Sequence, residues 1–299
     1  MSASIGGCIV WLLWAAAGAQ QVSVVDDARK SVVLARPAQR VVAIAPSLAE
    51  LAFAAGAGAR LVGAARYSDF PAAARQIPQV GDAVQVDLER IVALAPDLIL
   101  AWKSGNQAMD IERLQQLGYP VLVTEPRRLP DIGRALRMIG ALAGTLSEAE
   151  RAAGEFERGI EQLRERYAKA PTVRVFYQIW HKPLLTVNGA HMISDVITLC
   201  GGENVFSDLS QLTPAVSPEA LIAAKPEVIL GGGSADGARE FAERWRASAL
   251  APLRELPAQY INPDVIQRQT PRILDGARAV CAALERVRNG RKFPAPARP

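Results

Sequence analysis

The chain has 299 residues, enough for one large domain or for two of about 100–150 residues each. Half of the residues are apolar and 21% are charged, the balance of a globular protein with a buried core. The net charge of +4 is small for this length and no Lys/Arg block stands out, which excludes the basic footprint of a nucleic-acid binder.

In chain order, the first element is an uncharged apolar run, "CIVWLLWAAAGA", over residues 8–19. It is shorter than the ~20 residues a membrane-spanning helix needs. It ends in Ala17-Gly18-Ala19, the small-residue pattern of a signal cleavage site. Residues 1–19 therefore read as a secretory signal peptide; the other reading is a buried N-terminal helix. "IGGC", ending at Cys8, has a faint likeness to a lipoprotein box, but here the apolar run follows the cysteine instead of preceding it. Removing the segment takes Cys8 with it and leaves Cys200 and Cys281, an even count suited to an oxidising compartment. From the residues alone, these two form either one bridge or two buried thiols.

"RVVAIAP" (residues 40–46) is a short β-rich run that ends at a proline. "SLAELAFAAGAG" follows as a helix, with Ser47 and Glu50 spaced as a capping box and Gly56 and Gly58 as the stop. "RLVGAARYSDFP" is a strand running into a polar, aromatic turn. A helix over 88–94, an Ala-Pro break and a strand over 98–102 come next. "ERLQQLGYPVLVTEP" adds another helix, a glycine stop and a strand. Alternation of strand and helix predicts an α/β fold with a mainly parallel sheet.

"TLSEAERAAGEFERGIEQLRERYAKAP" then predicts one long helix, with Ser147 and Glu150 again spaced as a capping box and Pro171 as the stop. Ala149, Ala153, Phe156, Ile160, Leu163 and Tyr167 recur at steps of three and four and give it one apolar face. At about 23 residues it would be about 35 Å long, a stiff connector. The second half restarts the first: "VRVFYQIW" as a strand, "HMISDVITLCGGENVF" as helix, glycine stop and strand-like run. The expected division is signal peptide 1–19, N-terminal lobe 24–143, linker helix 146–170, C-terminal lobe 171–289 and tail 290–299.

One unit occurs twice. "VDLERIVALAPDLILA" (residues 86–101) returns as "VSPEALIAAKPEVILG" (216–231), with Glu89 and Glu219 at the same place in the first turn of each helix. Acids are favoured there by the helix dipole, and that is one sufficient explanation. The other is that two equivalent acids, one per lobe, suit a partner with approximate two-fold symmetry.

Many ordered segments across both lobes carry a resemblance: "ELAFAAGA", "YSDFP", "LERIVALAPDLILAW", "LGYPV", "CGGENVF", "TPRIL" and the cysteine near the end. Over residues 40–284 the sequence resembles the periplasmic substrate-binding proteins of ABC importers, and within them the cobalamin-binding branch. The resemblance implies two similar three-layer α/β lobes with central, mainly parallel sheets joined by one long α-helix. It implies a periplasmic monomer that captures a corrinoid, cobalamin or cobinamide, between the lobes. The cobalt corrinoid is then cargo, handed to a permease dimer with its ATPase subunits, and the protein has no cofactor of its own. On the same ground Glu89 and Glu219 dock on permease arginines and Cys200 pairs with Cys281.

For the cargo site, Tyr67, Asp69 and Phe70 lie in the turn of "RYSDFP", and Trp102 ends a strand at the edge where α/β sheets bind ligands. The family's cleft aromatics fall on Tyr67 and Trp102 and its second-lobe polar contacts on Asp264 and Arg268. Where the family has further cleft aromatics this chain has Ala83, Leu185 and Thr213; Trp180 and His181 nearby could compensate for the missing rings. His181 is either a hydrogen-bonding loop residue or an axial ligand to the cargo's metal. His191 should cap or flank the helix near Ile193. Two histidines without a carboxylate-rich spacing make no bare Zn²⁺ site. The same scaffold carrying haem or a ferric siderophore is the neighbouring alternative. An enzyme is the alternative of a different class, but the sequence has no P-loop, no nucleophile elbow, no H-E-x-x-H and no dinucleotide fingerprint. "GGGSADG" (231–237) reads as a cleft loop, although a phosphate could bind such a turn at a helix start.

Overall fold

The computed structural model describes residues 21–232 and 237–292. The expected signal peptide, residues 233–236 of the glycine-rich loop and residues 293–299 of the expected tail lie outside the described residues.

The first elements were not anticipated. β1 (Val22–Val25) and β2 (Ser31–Leu34) form an antiparallel hairpin. Val32 and Leu34 alternate inward to the core, and the Asp27 N–H donates to the Val123 carbonyl at 3.0 Å. Four residues per strand, with polar residues interleaved, gave too short a pattern to separate from loop.

The first lobe then runs β3 (Val41–Ala43), α1 (Pro46–Ala54), β4 (Leu61–Ala64), α2 (Leu88–Ala93), β5 (Leu98–Trp102), α3 (Ala108–Gln116), β6 (Val121–Thr124) and α4 (Leu129–Ala143). α5 (Leu146–Tyr167) follows. The second lobe runs β7 (Val173–Gln178), α6 (Met192–Leu199), β8 (Gly202–Asn204), α7 (Pro218–Ala223), β9 (Val228–Gly231), α8 (Ala238–Arg246), α9 (Ala251–Arg254), β10 (Ala258–Tyr260), α10 (Pro263–Ile266) and α11 (Ile273–Lys292).

Each lobe has one four-stranded sheet, ordered β4-β3-β5-β6 in the first and β8-β7-β9-β10 in the second, with every pairing parallel. The two orders are the same, so the repeat seen in sequence is a repeat of topology. Helices cover both faces, which is why β3, β6 and β9 are buried along their whole length and read as near-continuous apolar runs, with Thr124 at the end of β6 the polar exception.

α5 spans about 33 Å at 1.5 Å per residue and packs lengthwise on α4. It buries Ala149, Ala153, Phe156, Ile160 and Tyr167, five of the six residues of the predicted face. Gly159 on the same face lets α11 approach: a Cβ there would stand 2.4 Å from Leu274. Residues of α1, α4, α5, α6, α11 and both sheets form a single apolar cluster, whereas the outer face of each sheet has its own. The core is therefore continuous from lobe to lobe. Arg128 Nη2 adds an ion pair across it to Asp195 Oδ1 at 2.5 Å.

Both expected capping boxes are absent. Pro46 begins α1 after an extended Ala45, without a side-chain cap, and its fixed φ does the starting. α5 begins at Leu146, where Ser147 donates to Glu148 and Glu150 accepts from Arg137 Nε at 2.8 Å. α5 stops at Tyr167, short of 170, and α11 runs past 289 to Lys292.

Cys200, at the end of α6, is disulfide-bonded to Cys281 of α11. The start of α6 is capped by His191, whose Nδ1 accepts the Ile193 N–H at 3.1 Å. That bond needs a neutral ring, and burial lowers the His191 pKa to about 4. The unfolded chain, titrating near 6.5, then binds the proton that the folded chain refuses. The neutral cap's contribution is complete above about pH 6.5 and is lost as pH falls toward 4, by at most about 3 kcal/mol. His191→Asn keeps a capping oxygen and removes the titration. Urea unfolding from pH 7 to pH 4 should show the wild type losing stability relative to this variant.

Candidate functional site

In a sheet ordered 2-1-3-4, chain connections leave strands 1 and 3 toward opposite sides, and the crevice between their C-terminal ends is where ligands bind. In the first lobe those ends are Ala43, which leads through Ile44 into α1, and Trp102. One buried side chain ties them. Asn106 Oδ1 accepts the Trp102 N–H at 2.7 Å, while its Nδ2 donates to the carbonyls of Ile44 and Ala83, each at 2.8 Å. The indole of Trp102 lies over Gly105, where a Cβ would stand 1.8 Å from the ring.

The turn after β4 carries Tyr67, Asp69 and Phe70. Tyr67 has φ 69° and is 68% exposed. A bulky residue in the left-handed region is an outlier that costs on the order of 1–2 kcal/mol. It is held there by the bonds that flank it, from the Arg66 N–H to the Gly81 carbonyl at 2.7 Å and from the Ser68 N–H to the Ala65 carbonyl at 3.2 Å.

Across from these residues, Asn262 caps α10, which carries Asp264, and Arg268 follows it. Arg268 joins the lobes. Its Nη1 donates to Glu50 Oε1 on α1 and to Asp69 Oδ1, both at 2.7 Å, and its Nη2 stands 3.1 Å from Asp264 Oδ1. Glu50 is only 3% exposed. It also accepts from Thr270 Oγ1 at 2.9 Å and from Arg272 Nη1 at 3.1 Å. The guanidinium of Arg272 sits 3.9 Å over the ring of Phe70, a cation–π contact. Burial works against charge on both Asp69 and Arg268, but their contact outweighs it. The Asp69 pKa is lowered, and with Glu50 adding to the effect the Arg268 pKa is raised.

Four of the residues expected from sequence, Asp69, Phe70, Asp264 and Arg268, thus meet in one cross-lobe cluster, with Tyr67 two residues away. The others are placed by different contacts. Trp180 is 48% exposed, donates through Nε1 to the Lys182 carbonyl at 3.0 Å and pairs with Leu185, which pairs in turn with Ala215. His181 lines a separate cavity of about 290 Å³ with Leu184, Pro218, Trp245, Leu250 and Leu253. That cavity borders the outer-face core of the second lobe.

A model of the periplasmic binding protein family matches residues 41–252. The chain belongs to the periplasmic binding protein family. It is 35% identical over 253 residues to the vitamin B12-binding proteins of Yersinia pestis (strain Pestoides F) and Yersinia pseudotuberculosis (strain IP 31758), covering 85% of this chain and 89% of each relative. It superposes on the crystal structure of the periplasmic vitamin B12 binding protein BtuF of Vibrio cholerae with a TM-score of 0.76 at 33% identity, over 84% of this chain and 98% of that one. The fold is shared with the periplasmic heme-binding protein RhuT from Roseiflexus sp. RS-1, at a TM-score of 0.74 and 20% identity over 84% and 99% of the two chains.

The repeated unit of this family member is held the same way in both lobes. Asp87 and Ser217 cap α2 and α7 by accepting the N–H three residues on. Each helix ends at a left-handed residue before a proline, Ala95 and Lys225. An arginine that precedes the lobe's first strand or lies within it, Arg40 and Arg174, donates to the carbonyls at that end. Because each helix runs back against parallel strands, its start lies at the C-terminal edge of its sheet. Glu89 and Glu219 stand there, both exposed. The Glu219 pKa is lowered by its own N–H and by the Ser217 hydroxyl.

Sequence reading missed Glu50, Asn106, Thr270 and Arg272. The signal for three of them was present, since Glu50 begins "ELAFAAGA" and Thr270 and Arg272 lie in "TPRIL", two of the segments that carried the resemblance. Nothing local said that the two segments touch. The packing of Trp102 on Gly105 gives a direct check. Gly105→Ala should displace the indole at a cost of roughly 1–3 kcal/mol in stability, with a changed near-ultraviolet circular dichroism spectrum and an unchanged far-ultraviolet one.

Proposed function

We propose that this protein is a periplasmic receptor that captures a corrinoid, cobalamin or cobinamide, between its lobes and delivers it to an ABC importer. The observation that carries the reading is the chemistry of the cross-lobe cluster. Tyr67 and Phe70 offer exposed rings next to Arg268, Asp69 and Asp264, and Trp102 stands at the crevice of the first sheet. A corrin is a broad macrocycle with carboxamide side chains. Its faces bury area against aromatic rings, and its amides can both donate to aspartates and accept from an arginine. The similarity to proteins named for vitamin B12 binding points the same way.

Charge favours this cargo over the alternatives on the same scaffold. The cluster sets three carboxylates, Glu50, Asp69 and Asp264, against two guanidiniums, Arg268 and Arg272. A cleft of that balance is poor for a polyanionic ferric siderophore or for haem propionates, and suits a ligand rich in neutral amides. Trp180 supplies a ring where Ala83, Leu185 and Thr213 offer none. His181 lines its own cavity beside Leu184 and Trp245, and in this reading it is the hydrogen-bonding loop residue. Residues 1–19 direct export, the receptor works as a monomer, and it binds without chemistry or a cofactor of its own, as its relatives are binding proteins.

Calorimetric titration with cyanocobalamin, cobinamide and hemin tests the assignment. A corrinoid should bind, and Trp102→Ala should weaken it by roughly 1–3 kcal/mol, the scale of a lost buried aromatic. Binding of hemin alone would overturn the cargo. Delivery rests on Glu89 and Glu219, each presented by a helix held identically in its lobe and able to engage an arginine bidentately. Glu89→Arg combined with Glu219→Arg should abolish uptake in cells and association with the permease while leaving calorimetric cargo affinity unchanged. Lost cargo affinity would move these acids into the cleft, and intact uptake would reduce them to helix-start residues.

A further inference from the structure

We infer that Glu50 is a positioning residue for cargo binding, acting through Arg268. The inference rests on the reading of the cross-lobe cluster as the cargo site. A carboxylate 3% exposed is costly to bury unless its charge and lone pairs are met. All three groups that meet it, Arg268, Thr270 and Arg272, come from one short segment of the opposite lobe. Glu50 itself is fixed by α1, where Leu48, Ala49, Leu51 and Ala52 are buried around it. The segment between α10 and α11 is irregular, so a rigid helix of one lobe sets the position of a loop in the other.

The partners of Arg268 fall into two kinds. Glu50 holds it from the buried side, whereas Asp69 and Asp264 are about half exposed. Exposed partners are screened and weakly held, so an amide or phosphate oxygen of the cargo can replace them. A guanidinium has five donors, and Arg268 can keep Glu50 while it turns the others to cargo. Without Glu50 the two outer acids alone decide where Arg268 lies, and they compete with cargo for it.

A double-mutant cycle reads this directly. Wild type, Glu50→Gln, Arg268→Gln and the double variant are titrated with cyanocobalamin, and urea unfolding is measured on each. Glu50→Gln should weaken binding about tenfold or more, the scale of a lost buried charge partner. The double variant should bind no more weakly than Arg268→Gln alone. A purely structural role predicts additive losses, and additivity, or an unchanged affinity for Glu50→Gln, overturns the inference while leaving the corrinoid reading intact. If Glu50→Gln does not fold, Thr270→Val removes one donor to Glu50 and keeps every charge. It should weaken binding about threefold or more and have no effect in the Arg268→Gln background; an unchanged affinity again overturns the inference. If wild type binds hemin and no corrinoid, the cargo reading alone fails and the cycle is run with hemin under the same criterion. Binding of neither overturns both.

Discussion

Glu50 is buried where the two lobes meet, and its charge is met wholly by the lobe it does not belong to. Contacts spread outward from it in order. Arg272 reaches Glu50 with one end and covers Phe70 with its face. Arg268 reaches Glu50 from within and Asp69 and Asp264 from without. Arg268 and, through Arg272, the ring of Phe70 are therefore registered to the same carboxylate. Such a pair is weak evidence for stability, because desolvation offsets much of its attraction. Its value lies in fixing which atoms of one lobe face which atoms of the other.

The core supports that register. Apolar residues of α4, α5, α6 and α11 join both sheets into one cluster, and Arg128 pairs with Asp195 across the same junction. Swinging the lobes apart would expose part of this shared surface and separate two sets of ion pairs. Lobes joined this way hold a fixed position relative to each other. Preorganisation of that kind lowers the ordering cost of binding, and the stiff α5 connector works in the same direction.

Periodicity and glycine or proline punctuation made the alternation of strand and helix legible, and the third strand was predicted at the residues it occupies, 98–102. The long helix and nearly all of its buried face were legible for the same reason: both are local patterns. The hairpin was not legible, because its strands have four residues each. Glu50 shows the limit most clearly. Three residues after Ser47, it fits a capping box, and a local rule has no access to a partner 218 positions away. Proline started the helix and left the acid free for a tertiary role. His191 shows the opposite case, since its ring nitrogen bonds only two residues along, to Ile193 N–H, and it caps as expected.

Symmetry and asymmetry divide the molecule along a physical line. The repeated unit keeps its caps, its left-handed exit before proline and its arginine brace in both lobes, and each of these details holds one exposed glutamate in place. Immediately after the unit the copies part: the first continues into Trp102 and the second into Gly232. At Gly232 a side chain would run into the backbone, with a Cβ 2.5 Å from the Ile261 carbonyl oxygen, so the second lobe cannot offer a ring at that strand end. Its aromatic comes two residues beyond β7 instead, as Trp180. Under the proposed function, a partner with approximate two-fold symmetry would call for equal glutamates, and a cargo without such symmetry for unequal strand ends. Both demands would then fall on the same sixteen-residue unit, the first on its start and the second just past its end.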